Sequence, residues 1–192
     1  MKTYIVAFAA ILLCAAAAQA QIDNNRYHAS VLGGWSGHPG LDLGTARPGV
    51  DDSFNLGARA GVNLNGIVPW NGFSLDADYF YNRGDFQGAS NAILNSHSFM
   101  GNLVYHAPIG ERWGLYGGAG LGAVHTNLSG GAHGGSTVFG WQALGGLDYA
   151  MTDNTSLFAE YRYQNAHNAN IPSVGQVGNT SNSFSMGVKV SF

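Results

Sequence analysis

The chain has 192 residues, of which 29 are glycine and only 10% are charged, and its formal net charge is −3. Soluble domains carry about 25% charged residues, so this composition argues against an ordinary cytosolic protein. The mean hydropathy of −0.02 argues against a bundle of membrane helices. The lack of a basic excess argues against nucleic acid as a partner, and the length is that of one domain.

The first twenty residues have the pattern of a cleaved secretion signal. Lys2 supplies the positive charge, an apolar segment follows, and small residues at positions 18 and 20 form a cleavage pattern. The apolar segment is shorter than the roughly 20 residues that a transmembrane helix needs. We therefore expect a signal peptide over residues 1–20, export through the Sec pathway into the periplasm, and a mature domain over residues 21–192.

The single cysteine, Cys14, lies inside this signal. A lipoprotein acylated at Cys14 is an alternative, but Leu13 is not the small residue that lipidation normally requires before the cysteine. Once the signal is removed, the mature chain is expected to have neither a disulfide nor thiol chemistry, although it is exported.

Beyond the signal, segments of about ten alternating residues recur eight times, each followed by a polar break. Strict alternation is the signature of a β-strand, and segments of this length cross a bilayer as tilted strands. The mature sequence contains no apolar stretch of 18 residues, so no membrane helix is predicted. The eight predicted strands are Tyr27–Trp35, Ser53–Leu64, Phe73–Asn82, Ser96–His106, Trp113–His125, Thr137–Tyr149, Ser156–Gln164 and Asn182–Phe192.

One face of each predicted strand is apolar and lacks Asp, Glu, Lys and Arg. Aromatic residues collect near both ends of that face, as in the aromatic girdles of a transmembrane barrel, although aromatics are also common in strands generally. One predicted rim contains Trp35, Phe54, Tyr81, Phe99, Phe139, Tyr163 and Phe184. The other contains Tyr27, Phe73, Tyr105, Trp113, Tyr149 and Phe192.

The breaks between the predicted strands alternate in length. The long breaks are Ser36–Asp52, Arg83–Asn95, Thr126–Ser136 and Asn165–Ser181, and the short ones are Asn65–Gly72, Ala107–Arg112 and Ala150–Thr155. Long outer loops and short periplasmic turns, with both termini on the short-turn side, are typical of outer-membrane barrels.

Alternation alone does not decide which face points outward. A soluble lipocalin-like barrel would turn the apolar face inward, which would leave too few charges for its surface. In the inverted arrangement the apolar face contacts lipid and the polar face fills a narrow lumen. The sequence therefore predicts an all-β fold, an eight-stranded antiparallel up-and-down transmembrane β-barrel.

Seven charged residues fall on the polar face, in about the first half of their strands counted from the short turns. They are Arg59, Asp76, Asp78, Asp148, Glu160, Arg162 and Lys189. Buried charges persist only when paired, and an eight-stranded barrel is barely wider than its own side chains. Our hypothesis is a lumenal ion-pair network that plugs the periplasmic half; the alternative is that interior water solvates each charge.

Three segments carry a family resemblance. They are Trp113–Gly122, Phe139–Tyr163 and Phe184–Phe192. They resemble the eight-stranded outer-membrane barrel domain shared by OmpA-like and opacity-type porin family proteins, which are surface antigens of Gram-negative bacteria. The resemblance implies an outer-membrane location and a scaffold for variable outer loops. It also implies recognition by the barrel-assembly machinery through a C-terminal signal, formed here by Phe184, Met186, Val188, Val190 and Phe192.

Two kinds of chemistry are alternatives to a purely structural barrel. A transition-metal site would use histidines in or beside the predicted outer loops, which are His38, His97, His125, His133 and His167. Their spacing matches no ligand motif, so we expect no metal and no other cofactor. A lipid A-modifying enzyme would need a Ser–His pair, but adjacent His97 and Ser98 point to opposite faces, so no enzyme is expected.

The sequence therefore predicts a monomeric, non-enzymatic barrel surrounded by outer-membrane lipid and lipopolysaccharide. Its outer loops are expected to contact a host or other cell-surface ligand, or to support envelope integrity. The competing function is a small porin-like channel for small solutes, although a filled lumen of eight strands makes conductance poor.

Overall fold

The computed structural model describes residues 26–37, 53–85, 93–129, 134–171 and 175–192. Its strands are β1 (Tyr27–Gly37), β2 (Ser53–Asn63), β3 (Phe73–Asp85), β4 (Ile93–Ile109), β5 (Trp113–Ser129), β6 (Gly134–Ala150), β7 (Thr155–Ile171) and β8 (Gly175–Ser191). Each strand pairs antiparallel with the next, and β8 pairs with β1, which closes the barrel. The predicted fold class is thus confirmed. The predicted signal peptide lies outside the described residues, and no described helix is long and apolar enough to cross a membrane.

Several strands are longer than the sequence predicted, and most of the extra residues lie at the ends away from the short turns, although β4 also extends to Ile109 at its short-turn end. Most of two predicted loops, Thr126–Ser136 and Asn165–Ser181, is β-strand, and β7 pairs with β8 as far as Ile171 opposite Gly175. An irregularity between Ala166 and Ala169 interrupts that pairing. The predicted loop bounds were wrong because backbone hydrogen bonds extend a hairpin beyond the membrane, where no apolar face is needed.

The strand register fixes the shape of the cylinder. Stepping across paired residues from His28 on β1 leads around the ring to Ser181 on β8. His28 itself pairs with Ser191, ten residues further along β8. A shift of ten residues of about 3.3 Å, over eight strands about 4.8 Å apart, corresponds to a strand tilt of about 40°. Such a cylinder leaves room for little more than side chains in its lumen.

The polar face of every strand points into the barrel and the apolar face points out. On β8, Phe184 and Met186 are 46% and 60% exposed, whereas the intervening Ser185 is 2% exposed. Ring contacts run along both ends of the outer surface, for example Trp113 with Tyr149 at 4.9 Å and Trp141 with Tyr163 at 5.4 Å. A continuous apolar outer surface with aromatic ends is the surface of a membrane barrel.

Inward glycines make space for large inward side chains on the neighbouring strands. A Cβ atom at Gly57 would lie 2.7 Å from the Phe80 ring, and one at Gly146 would lie 2.6 Å from the Tyr116 hydroxyl. These close approaches explain why glycine stands in strands whose conformation it otherwise weakens. Phe80 and Tyr116 belong to a buried apolar layer with Leu32, Val104, Leu144 and Phe158.

Candidate functional site

Four charged side chains meet inside the barrel and form what we call the central cluster: Arg59, Asp78, Glu160 and Arg162. Arg59 donates from Nε to Asp78 Oδ1 at 2.7 Å, and its Nη1 lies 2.9 Å from Glu160 Oε2. Arg162 Nη2 lies 2.9 Å from Asp78 Oδ2 and 2.7 Å from Glu160 Oε1. Each carboxylate therefore contacts both guanidinium groups, and none of the four side chains is more than 6% exposed.

The position of the central cluster follows from strand order and register. Arg59 on β2 and Asp78 on β3 are direct cross-strand partners. Glu160 and Arg162 are two residues apart on β7 and so share its inner face. Because β3 and β7 are four strands apart in a ring of eight, the bond between Arg162 and Asp78 joins opposite walls of the lumen.

Neutral groups surround the central cluster. The Phe80 ring lies 4.3 Å from the Arg162 guanidinium carbon, a cation–π contact. The Tyr116 hydroxyl donates to Glu160 Oε2 at 3.2 Å, and Gln142 Oε1 accepts from Arg162 Nη1 at 3.5 Å. These contacts satisfy polar atoms that the ion pairs leave over, as a buried charge requires.

A second polar layer fills the lumen on the outer-loop side of the central cluster. Ser36 Oγ donates to Asn82 Oδ1 at 2.8 Å and accepts from Asn55 Nδ2 at 2.9 Å. Ser185 Oγ donates to Asn55 Oδ1 at 3.0 Å. All of these side chains are buried, and their direct hydrogen bonds join four consecutive strands of the ring, β8, β1, β2 and β3, along one side of the lumen.

The other three predicted charges lie at the edge of the central cluster or outside it. Asp76 lies at its edge, 3.8 Å from Arg59 Nε, and its main partner is His28, whose Nε2 is 3.1 Å away. Asp148 and Lys189 form a separate pair at 3.8 Å, with side chains that are 16% and 19% exposed. The sequence analysis did not include His28 among the lumenal groups, although alternation from Tyr27 places it on the inner face.

A cavity of about 340 Å³, which we call the vestibule, lies at the short-turn end of the barrel. His28, His106, Asp148 and Lys189 are part of its lining, whereas none of the central cluster is. In the part of the chain that the structure describes, no three His, Cys, Asp or Glu side chains are arranged to hold a metal ion.

Of the five histidines considered for a metal site, the structure describes the side chains of His97 and His125 only. His38 and His133 lie outside the described residues, and His167 lies on β7, where only the backbone is described. His97 on β4 and His125 on β5 are cross-strand partners on the outer surface. Ser98 points into the barrel with 1% exposure, so His97 and Ser98 lie on opposite faces and do not form a nucleophile–base pair.

The predicted assembly-signal residues occupy the outer face of β8, beside the seam with β1. Phe192, just beyond β8, exchanges backbone hydrogen bonds of 2.8 Å with Tyr27, and the two rings stack with centroids 6.3 Å apart. The C-terminal aromatic thus contacts the first strand where the cylinder closes. Recognition of these residues by an assembly machine stays a prediction.

The comparisons with known proteins agree with this architecture. A family model described as "Outer membrane protein beta-barrel domain" matches residues 6–192. No curated protein matches the chain.

Solved structures share the fold at low sequence identity. Neisserial surface protein A matches with a TM-score of 0.66 and 24% identity, over 88% of this chain and 98% of that chain. A major outer membrane protein from Thermus thermophilus matches with 0.53 and 10%, over 87% and 98%. Ail, the attachment invasion locus protein of Yersinia pestis, matches with 0.50 and 18%, over 87% and 99%. Since the family model spans almost the whole chain, this protein belongs to the outer-membrane β-barrel family and resides in the bacterial outer membrane.

Proposed function

We propose that this protein is a non-conducting scaffold in the outer membrane that presents its four outer loops to ligands at the cell surface. The observation that carries the proposal is the central cluster, whose ion pairs bridge β3 and β7 across the lumen. The barrel would then act as an anchor, with recognition in the loops and no catalytic function.

The packing of the lumen supports a scaffold over a channel. An ion crossing the barrel would have to separate the central cluster, and unpairing a buried salt bridge costs about 3–5 kcal/mol. It would also have to pass the hydrogen-bonded layer around Ser36 and Asn55. The vestibule opens at the short-turn end, and the cavity beyond it, which is lined by Arg59, has a volume of only about 10 Å³.

The outer ends of the strands support a role in display. Each of β4–β8 has 17 residues, whereas about 9–11 suffice to cross the membrane. Most of the surplus lies at the ends that carry the loops, away from the short turns. Among proteins with this fold, Ail was solved in complex with the heparin analogue sucrose octasulfate, so a cell-surface saccharide is one class of ligand that we propose for the loops.

Single-channel recording tests the scaffold against the channel. Purified protein, refolded into planar lipid bilayers, is expected to give no steady openings in potassium chloride. A porin of known conductance, inserted in the same bilayers, serves as the positive control. Steady, large openings from the unmodified protein would reject the scaffold in favour of a pore.

Loop replacement tests the display role. In cells that display the protein, residues 38–52 or 86–92 are replaced by Asn-Gly, and binding to heparin-coated surfaces and cultured epithelial cells is measured. We expect a loss of binding to at least one surface in a loop variant whose folded band on unboiled gels is unchanged. Equal binding by cells without the protein would contradict the proposal. Equal binding by a variant with all four loops replaced, at residues 38–52, 86–92, 130–133 and 172–174, would contradict it as well.

A further inference from the structure

A patch of hydrogen-bonding side chains borders the apolar outer surface near the outer ends of β3, β4 and β5. We call it the outer-rim patch, and its members are Arg83, Asn95, His97 and His125. Arg83 pairs with Asn95 across β3 and β4, and His97 pairs with His125 across β4 and β5. All four occupy outward positions of their strands, so they face the lipid and not the lumen.

The outer-rim patch lies immediately beyond the aromatic rim. On β4 the next outward residue after His97, towards the short turn, is Phe99. Phe99 pairs with Tyr79 on β3, and the two rings are 5.0 Å apart. Successive outward residues of β4 thus change from aromatic Phe99 to hydrogen-bonding His97. In a membrane barrel that step is the boundary between hydrocarbon and head groups.

Hydroxyl groups contact three of the four members of the patch, His97, His125 and Asn95. The Tyr79 hydroxyl lies 2.9 Å from His97 Nδ1, and the Thr137 hydroxyl lies 2.7 Å from His125 Nδ1. The Tyr81 hydroxyl donates to Asn95 Oδ1 at 2.8 Å. When a hydroxyl donates to Nδ1, the imidazole carries its proton on Nε2 and offers an N–H on its other side.

The patch therefore combines an arginine with further hydrogen-bonding groups on an asparagine amide and two imidazole rings. The Asn95 acceptor oxygen is occupied by Tyr81, which leaves its amide N–H groups, and Arg83 adds five donors and a fixed positive charge. Arginine forks and N–H donors at head-group level are complementary to a phosphate. An apolar lipid tail would leave these donors unpaired.

We infer that the outer-rim patch is a binding site for a phosphate group of lipid A, the phosphorylated membrane anchor of lipopolysaccharide. A lipid A molecule would place its acyl chains along Tyr79 and Phe99 and its phosphate against Arg83 and the two imidazoles. The inference goes beyond the proposed function, because it concerns the lipid around the barrel and does not depend on any loop ligand.

The test measures lipid retention by the full-length protein in nanodiscs of phosphatidylcholine that contain a tenth of lipid A. After purification, the bound lipid A is quantified by mass spectrometry. We expect the variant Arg83→Gln/His97→Phe/His125→Phe to retain about tenfold less lipid A than the unmodified protein, as lost charge-assisted contacts predict. Asn182→Ala is the matched control, because it removes an outward hydrogen bond to Tyr161 on the opposite side of the barrel.

Changing the lipid tests the same site in the unmodified protein. Dephosphorylated lipid A is expected to be retained about tenfold less than lipid A by the unmodified protein. Equal retention of the two lipids, or of phosphatidylglycerol, would overturn the assignment, as would equal retention by the triple variant and Asn182→Ala. A protein with all four loops replaced is expected to retain lipid A normally, which separates this site from the loop function.

Discussion

At the scale of single residues, the structure divides the lumenal charges into two energetic classes. Arg162 is buried and contacts two carboxylates, Asp78 and Glu160, whereas Lys189 contacts only Asp148 at 3.8 Å in a partly exposed position. A buried carboxylate that loses its partner keeps its desolvation penalty, whereas Lys189 and Asp148 line the vestibule, where water compensates for the loss of a partner.

We therefore expect Arg162→Ala to lower the free energy of unfolding by about 3–5 kcal/mol, and Lys189→Ala by less than about 1 kcal/mol. The measurement is urea unfolding of each protein refolded in lipid vesicles, followed by tryptophan fluorescence. Similar losses in the two variants would show that the central cluster contributes no more to the free energy of unfolding than the pair of Lys189 and Asp148.

Glycine positions on the two faces of a strand give a second prediction at this scale. A Cβ at inward Gly57 would meet the Phe80 ring at 2.7 Å, whereas one at outward Gly101 has its nearest neighbour at 4.0 Å. Overpacking costs about 1–3 kcal/mol. Gly57→Ala should therefore be destabilised by that amount in the urea assay, and Gly101→Ala should match the unmodified protein; the reverse order would contradict the assigned faces.

At the scale of elements, the last strand has two separable roles. Phe192 closes the seam with Tyr27 through two backbone hydrogen bonds and a ring contact, and it is also the proposed end of an assembly signal. Phe192→Ala keeps the backbone bonds, so it should fold in vesicles almost as well as the unmodified protein.

In cells, Phe192→Ala should give several-fold less folded protein in the outer membrane, because the proposed recognition would fail. The measurement is the ratio of folded to unfolded bands on unboiled gels of the outer-membrane fraction. Tyr149→Ala, which removes another aromatic residue of the same rim, serves as the control. A defect of equal size in vesicles would assign Phe192 a purely structural role.

The surroundings of the strands explain which strand bounds could be predicted from the sequence. Alternation identifies a strand only where one face meets lipid and the other faces the lumen. Beyond the apolar belt this contrast is lost, and the sequence of Asn165–Ser181 has no periodic signal, although Asn165–Ala166 and Ala169–Ile171 pair with residues of β8. The ends of β4, β5, β7 and β8 were therefore missed for a physical reason.

Which charged residues contact one another within the lumen could not be predicted from the sequence. Alternation decides whether a residue points inward, and all seven charges occupy inward positions of their strands in the structure. It does not give the register around the ring, which brings Arg162 to Asp78 across the lumen and leaves Asp148 with Lys189. The search for charges also overlooked His28, because its partner Asp76 becomes apparent only once β1, β2 and β3 are aligned.

At the scale of the whole molecule, the height of the apolar belt sets the membrane that the barrel fits. On β1 the rims are marked by Tyr27 and Trp35, and on β6 by Tyr149 and Phe139, which are separated by eight and ten residues. With about 3.3 Å per residue and a tilt of about 40°, the belt is about 20–25 Å high. That is thinner than the ~30 Å hydrocarbon core of a typical bilayer.

A belt of this height should make folding sensitive to lipid length. Exposing polar rim residues to hydrocarbon, or compressing the bilayer, costs fractions of a kcal/mol per Å of mismatch. Over a mismatch of about 5–10 Å the total is a few kcal/mol, a large part of the stability of a small barrel. The folded fraction at fixed urea should therefore be higher in dilauroyl than in dioleoyl phosphatidylcholine vesicles, as read from the folded band on unboiled gels. Equal fractions, measured after both samples have reached equilibrium from the folded and unfolded sides, would mean that the aromatic rings do not mark the limits of the belt.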